Sequence, residues 1–184
     1  MMKNYFLFFV LIFTSCTKQS ELSKEFQCEF SNLNELEVVK DVRNTFSIAI
    51  PTNWKTNLYE DSLQSSIFSA DTTKQLTETF LIDVSYIKNN ILFDDLFKLK
   101  VEQENLRENL IQKKTKTLRI LEKPSYLVVS KGKKSSFLYQ KLQAYIKIDQ
   151  QHFILAKAEV YGDSLSEYRL CKAITLIQKI KINP

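Results

Sequence analysis

The sequence predicts an α+β fold, an antiparallel β-sheet of about six strands packed with helices as an α/β/α sandwich, and three observations point to it. Phe46, Ile48 and Ile50 alternate with smaller residues, the period of a half-buried strand, and similar alternation returns further along the chain. Between such runs the apolar residues recur at steps of three and four, the period of an amphipathic helix. The short polar link Asp149-Gln150-Gln151 joins two alternating runs and makes them an antiparallel hairpin.

The N-terminal end is an export signal. Lys3 precedes an unbroken apolar run from Tyr5 to Phe13, and Thr14, Ser15 and Cys16 follow. The run is less than half of the roughly 20 residues that a spanning helix needs. The tetrad Phe13-Thr14-Ser15-Cys16 resembles the bacterial lipobox, with Phe13 where Leu is usual. The resemblance implies cleavage after Ser15 and acylation of Cys16. Residues 1–15 are thus expected to be a signal peptide, residues 16–34 the lipidated Cys16 and a polar tether that gains order near Cys28, and residues 35–184 one globular domain. Because Thr17 is not the Asp that retains lipoproteins in the inner membrane, the outer membrane is the expected address.

From Thr45 onward each element has its own signal. Residues 46–50 form a strand ended by Pro51, and Trp54 is placed to fold back over its apolar face. A short strand is expected at residues 65–69 and a longer one at 79–87, where Phe80, Ile82, Val84 and Tyr86 share a face. The period then switches. Leu92, Leu96, Leu99, Gln103, Leu106 and Leu110 make a helical stripe, with Asp94 and Asp95 at its positive end. A basic turn with Lys113, Lys114, Lys116 and Arg119 precedes a short strand at 126–129. The hairpin comes next, over residues 136–148 and 152–161. A closing helix over 165–180 is expected to carry Ser164 and Glu167 as a capping box, with Leu170, Ala173, Ile174 and Ile177 buried.

The phrase Phe46-Ser47-Ile48-Ala49-Ile50-Pro51-Thr52-Asn53-Trp54 resembles the "F-x-I-x-x-P-x-x-W" opening of PsbP-like domains. The ending is similar too: a strand His152-Phe153-Ile154-Leu155-Ala156-Lys157-Ala158, a helix, and the apolar-basic run Ile180-Lys181-Ile182. Such domains occur in photosystem II extrinsic subunits, in a Ran-binding import factor and in bacterial lipoproteins. The resemblance implies a non-enzymatic interaction domain.

Composition narrows the chemistry. Two glycines, Gly132 and Gly162, leave no room for a Gly-rich phosphate loop or a G-x-S-x-G elbow, and a lone His152 excludes His-pair zinc motifs. Glu60-Asp61, Asp94-Asp95 and Glu102 with Glu104 are the paired acids; they read as solvated surface or helix-dipole partners. No cofactor and no metal is expected, and an exported chain with scattered lysines is not expected to bind nucleic acid despite its formal charge of +5. Cys28 and Cys171 are an even pair in an oxidising compartment, and a disulfide between them is expected.

The remaining candidate site is the outward face of the hairpin, with Phe137, Tyr139, Tyr145, Phe153, Leu155 and Tyr161. Either a second layer of the same chain covers it as core, or it is a binding surface centred on Tyr139, Tyr145, Phe153 and Tyr161. The expected function is that of a membrane-anchored envelope module that binds a protein or ligand. The alternative is a hydrolase or small-ligand carrier whose site has no local motif.

Overall fold

The computed structural model describes residues 19–29, 33 and 35–183. The alternating run at 46–50 becomes strand β2 (Phe46–Pro51), the middle of a three-stranded antiparallel sheet between β1 (Leu36–Lys40) and β10 (Lys181–Ile182). The other strands, β3 (Lys55–Glu60), β4 (Gln64–Ala70), β5 (Phe80–Lys88), β6 (Leu110–Ile120), β7 (Lys123–Lys134), β8 (Phe137–Lys147) and β9 (His152–Tyr161), form a seven-stranded sheet in the order β3-β4-β5-β9-β8-β7-β6. Every pairing is antiparallel. The expected single sheet of about six strands is therefore corrected to two sheets, richer in strands than the sandwich expected. The basic turn at 113–119 is also corrected, since it lies within β6.

One face of the large sheet meets helix α3 (Ser166–Ile177), the small sheet and helix α1 (Glu21–Glu25). Leu170, Ala173, Ile174 and Ile177 are fully buried there as the periodicity predicts, against Leu142, Ala144, Ile146, Ile154, Ala156 and Ala158. The opposite face is covered by helix α2 (Asp95–Arg107), which packs Phe97 and Val101 over Tyr126, Val128, Tyr145 and Phe153. Strand β8 is buried on both sides as a result. Gly132 is required where β7 runs against the start of β6: a Cβ there would stand 2.3 Å from the Asn109 carbonyl oxygen.

Three local expectations change. The leucine stripe of α2 points outward, with Leu92, Leu96, Leu99 and Leu106 exposed, and Leu110 belongs to β6. No capping box starts α3: Leu165 holds the N-cap position at φ 50° without a side-chain acceptor, and Glu167 pairs with Lys131. The span 16–34, expected to be a tether, contains α1. Ser20 caps this helix by accepting from the Ser23 amide, Leu22 is buried, and Glu25 pairs with Lys114 and Lys116. Both lysines hold the Glu25 carboxyl below the usual carboxylate range.

Candidate functional site

The hairpin aromatics do not form a free surface. Tyr139, Tyr145, Phe153 and Tyr161 are all buried, and each already has its partners within the chain. Phe97 of α2 stands edge-on to Tyr145 at 5.1 Å, and Phe153 lies in the same cluster. Tyr139 and Tyr161 lie tilted against each other with centroids 4.8 Å apart, with the Lys134 ammonium over both rings. Burial pushes the Tyr139 and Tyr145 hydroxyls far above the ordinary phenol range. The binding-surface candidate is thus corrected to second core, because α2 covers the middle of the face.

The other sequence candidates separate as follows. Cys28 and Cys171 are joined in a disulfide with Cα atoms 5.4 Å apart, which ties the segment after α1 to α3. Cys16 lies outside the described residues. His152 places Nδ1 3.0 Å from both Asp149 carboxylate oxygens and its ring against Tyr86, an arrangement that holds the hairpin turn. The amide of Gln151 and then His152 lower the Asp149 pKa. Glu60 pairs with Arg43, Asp94 caps α2, and Asp95 pairs with Lys98. Asp61 accepts the Leu63 and Gln64 amides, which depress its pKa. Among the described residues no three His, Cys, Asp or Glu side chains converge as metal ligands.

What the fold does bring together is a cleft of about 720 Å³ between the β2–β3 turn, the start of β5 and the start of α3. Pro51 turns the chain, and the Trp54 amide donates to the Pro51 carbonyl at 3.0 Å. This turn sets the Trp54 indole edge-on to Phe80, with ring centroids 4.8 Å apart. Leu165 and Tyr168 are exposed where they line the opposite side. The volume suits a small organic ligand, and aromatic walls with a few polar groups are what such sites use.

Arg169 forms part of the cleft wall and is only 4% exposed. Because Phe80 faces Val160 in register, the Thr79 and Tyr161 carbonyls emerge together at the end of that ladder. The guanidinium donates to both, at 2.7 and 2.8 Å, and to the Gly162 and Ser164 carbonyls at 3.2 and 2.8 Å. Its Nε has no acceptor, and no carboxylate pairs with it among the described residues. Burial pulls its pKa down from the ordinary guanidinium value. Lys172 extends its ammonium over the Tyr168 ring at 4.6 Å. Asp71, also in the lining, is engaged by the Thr73 amide and hydroxyl at 3.0 and 2.6 Å, with Lys74 at 3.7 Å.

Sequence reasoning placed Trp54 over the strand as packing, not as a site residue, and missed Arg169. The signal was present: Arg169 stands four residues before Ala173, in phase with the buried stripe of α3. A charged residue on the apolar face of a helix must be paid for by partners, and here four carbonyls supply them.

These elements define the class: an antiparallel two-sheet domain with PsbP-like fold. Its likeness to solved structures is one of fold. The cyanobacterial PsbP protein of Synechocystis superposes with a TM-score of 0.59 at 9% identity, over 85% of this chain and 97% of that one. The Ran-binding protein Mog1p of Saccharomyces cerevisiae gives a TM-score of 0.53 at 12% identity, over 80% and 95% of the two chains. LpqN, a Mycobacterium tuberculosis protein involved in cell envelope biogenesis, gives 0.51 at 14%, over 82% and 91%. No family model and no curated protein matches the sequence. Among the described residues no helix is long and apolar enough to cross a membrane.

Proposed function

We propose that this chain is a lipid-anchored envelope protein that works by binding and not by turnover, and that the cleft beside Trp54 is its binding site. The observation that carries the reading is the construction of the cleft. Its walls come from elements far apart in sequence, its floor is an aromatic pair in contact, and its one deeply buried cation is fixed on backbone carbonyls. Such a site is preorganised to hold a ligand. The fold likeness to LpqN supports an envelope setting, and the Phe13-Thr14-Ser15-Cys16 tetrad supports the anchor. Acyl chains on Cys16 would supply membrane attachment, since a single chain is marginal and several are stable.

The cleft also favours one form of the alternative reading, a carrier of small ligands, over a partner protein seated on the hairpin face. That face is occupied by α2. The test uses the protein purified from membranes of its own host in native mass spectrometry. A small-molecule adduct that survives in the wild type and is lost in Tyr168→Asp supports the site. In parallel, Cys16→Ala should move the protein from membrane to soluble fractions. Turnover of any compound in a broad hydrolase panel, abolished by one ionisable substitution with the fold intact, would overturn the non-enzymatic reading.

A further inference from the structure

We infer that the exposed seam of helix α2 pairs with the same seam of a second copy of this chain, the two helices running parallel and in register. This surface lies on the opposite face of the large sheet from α3 and the cleft, so the inference goes beyond the binding reading and does not depend on it.

The seam is written in the spacing of α2. Leu96, Leu99, Gln103 and Leu106 follow one another at steps of three, four and three, the a and d positions of a coiled-coil heptad with Leu96 and Gln103 at a. All four are exposed, the leucines at 76%, 50% and 53%. The other side of the helix attaches it to its own sheet. Val101, at f, and Asn105, at c, are buried, and Phe97, at b, packs into the aromatic cluster beneath. Position f points away from the a/d seam, so a partner helix meets the leucines without displacing a contact of the fold.

The flanking charges select the occupant and its direction. The g positions are Asp95 and Glu102 and the e positions are Lys100 and Arg107, all exposed. In a parallel pair each g side chain meets the e side chain of the partner's next heptad, which sets Asp95 against Lys100 and Glu102 against Arg107, each contact made twice by the twofold symmetry. An antiparallel pair sets g against g and e against e, so acid meets acid and base meets base. Among the described residues only Asp95 of these four has an ion pair within the chain, to Lys98 at 3.0 Å, and its carboxylate stays fully exposed. Gln103 is the one polar a position, the kind that fixes register: in the parallel pair it faces its own copy, where one amide donates to the other. An anionic bilayer would repel the acidic border of the stripe, whereas a second copy satisfies both borders. A seam on a helix of 13 residues is smaller than a standard interface, so the pair is weak and melting in dilute solution reads the single chain.

The test uses cysteine variants of the protein purified from its own host and oxidised over a range of concentrations. Leu96→Cys and Gln103→Cys should each give a covalent dimer joined through the introduced residue, identified by peptide mass, whereas Val38→Cys, exposed in the small sheet, should not. Two self-crosslinks one heptad apart on the same helix form only in a parallel, in-register pair. Adding Lys100→Glu with Arg107→Glu to Gln103→Cys should lower the yield about tenfold. Mixing that chain with one carrying Gln103→Cys, Asp95→Lys and Glu102→Lys should restore it, and unaltered melting curves exclude a folding defect. A crosslink at only one of the two seam positions, an equal yield from Val38→Cys, or a yield that the charge variants leave unchanged overturns the inference. It also falls if both seam variants stay monomeric, whether the stripe then floats with anionic vesicles or holds a different co-purified chain.

Discussion

Arg169 is a clamp whose partners are all backbone groups. Its four carbonyl bonds fasten the end of the β5–β9 ladder and the loop into α3. Replacing it with a side chain of similar length and no charge removes the donor from four carbonyls, those of Thr79 and Tyr161 in buried bonds, and each buried loss is expensive. Arg169→Met is therefore expected to destabilise the domain by about 3 kcal/mol or more, read as a lower midpoint in urea unfolding. A loss under about 0.5 kcal/mol would mean that water takes over the carbonyls unaided. The residue was not singled out from sequence because its partners are backbone groups 5, 7, 8 and 90 positions away. No side-chain pattern encodes them. Trp54 was legible for the opposite reason, since Pro51 and the alternation before it fix locally where the indole must go.

At the scale of elements, the boundary between what was and was not legible follows the edges of the sheets. Strands β2, β5, β8 and β9 alternate or run apolar because neighbours flank them in the sheet and layers cover them. The four strands that sequence did not reveal, β1, β3, β6 and β10, are the four edge strands. Edge strands in water can carry lysine and threonine on either face, and charge there resists pairing with other chains. Strand β6 buries only Leu110, Leu118 and Ile120, which leaves its lysines to dominate the pattern. Helix α2 shows a second kind of failure. Its periodicity was real, but the helix is apolar on two opposite faces, and aromatic complementarity placed Phe97 and Val101 inward while the leucines stayed out. Val101→Ala should then cost about 2 kcal/mol, while Leu96→Ser with Leu99→Ser should shift stability by less than about 0.5 kcal/mol. Thermal melts of both variants decide it; the reverse order would place the stripe inward after all.

For the whole molecule, the disulfide is the one covalent link between its first helix region and its last helix. Cys28 and Cys171 are separated by 143 positions, so the bond closes a loop that includes α2 and every strand except β10. The chain-entropy account gives about 4 to 5 kcal/mol for such a loop, and native bonds generally contribute about 2 to 5. Reduction, or Cys28→Ser with Cys171→Ser, should lower the melting temperature without abolishing the fold, because the core of α3 on the sheet is independent of the bond. Intact-mass measurement after alkylation without reductant should show no adduct at either cysteine. Adducts at both would remove the bond from the account.

The same bond sets the length of a leash. Cys16 stands 12 positions before Cys28 and 20 before Leu36. In a chain anchored at Cys16, a pull away from the membrane can peel α1 but is arrested at Cys28, where the load passes into α3 at the centre of the domain. At about 3.5 Å per extended residue the domain can then stand off by roughly 40 Å. With the thiols reduced, a pull borne first at β1 would reach roughly 70 Å. In a lipid-anchored chain the redox state of one cysteine pair would thus decide how far from the membrane the cleft can work.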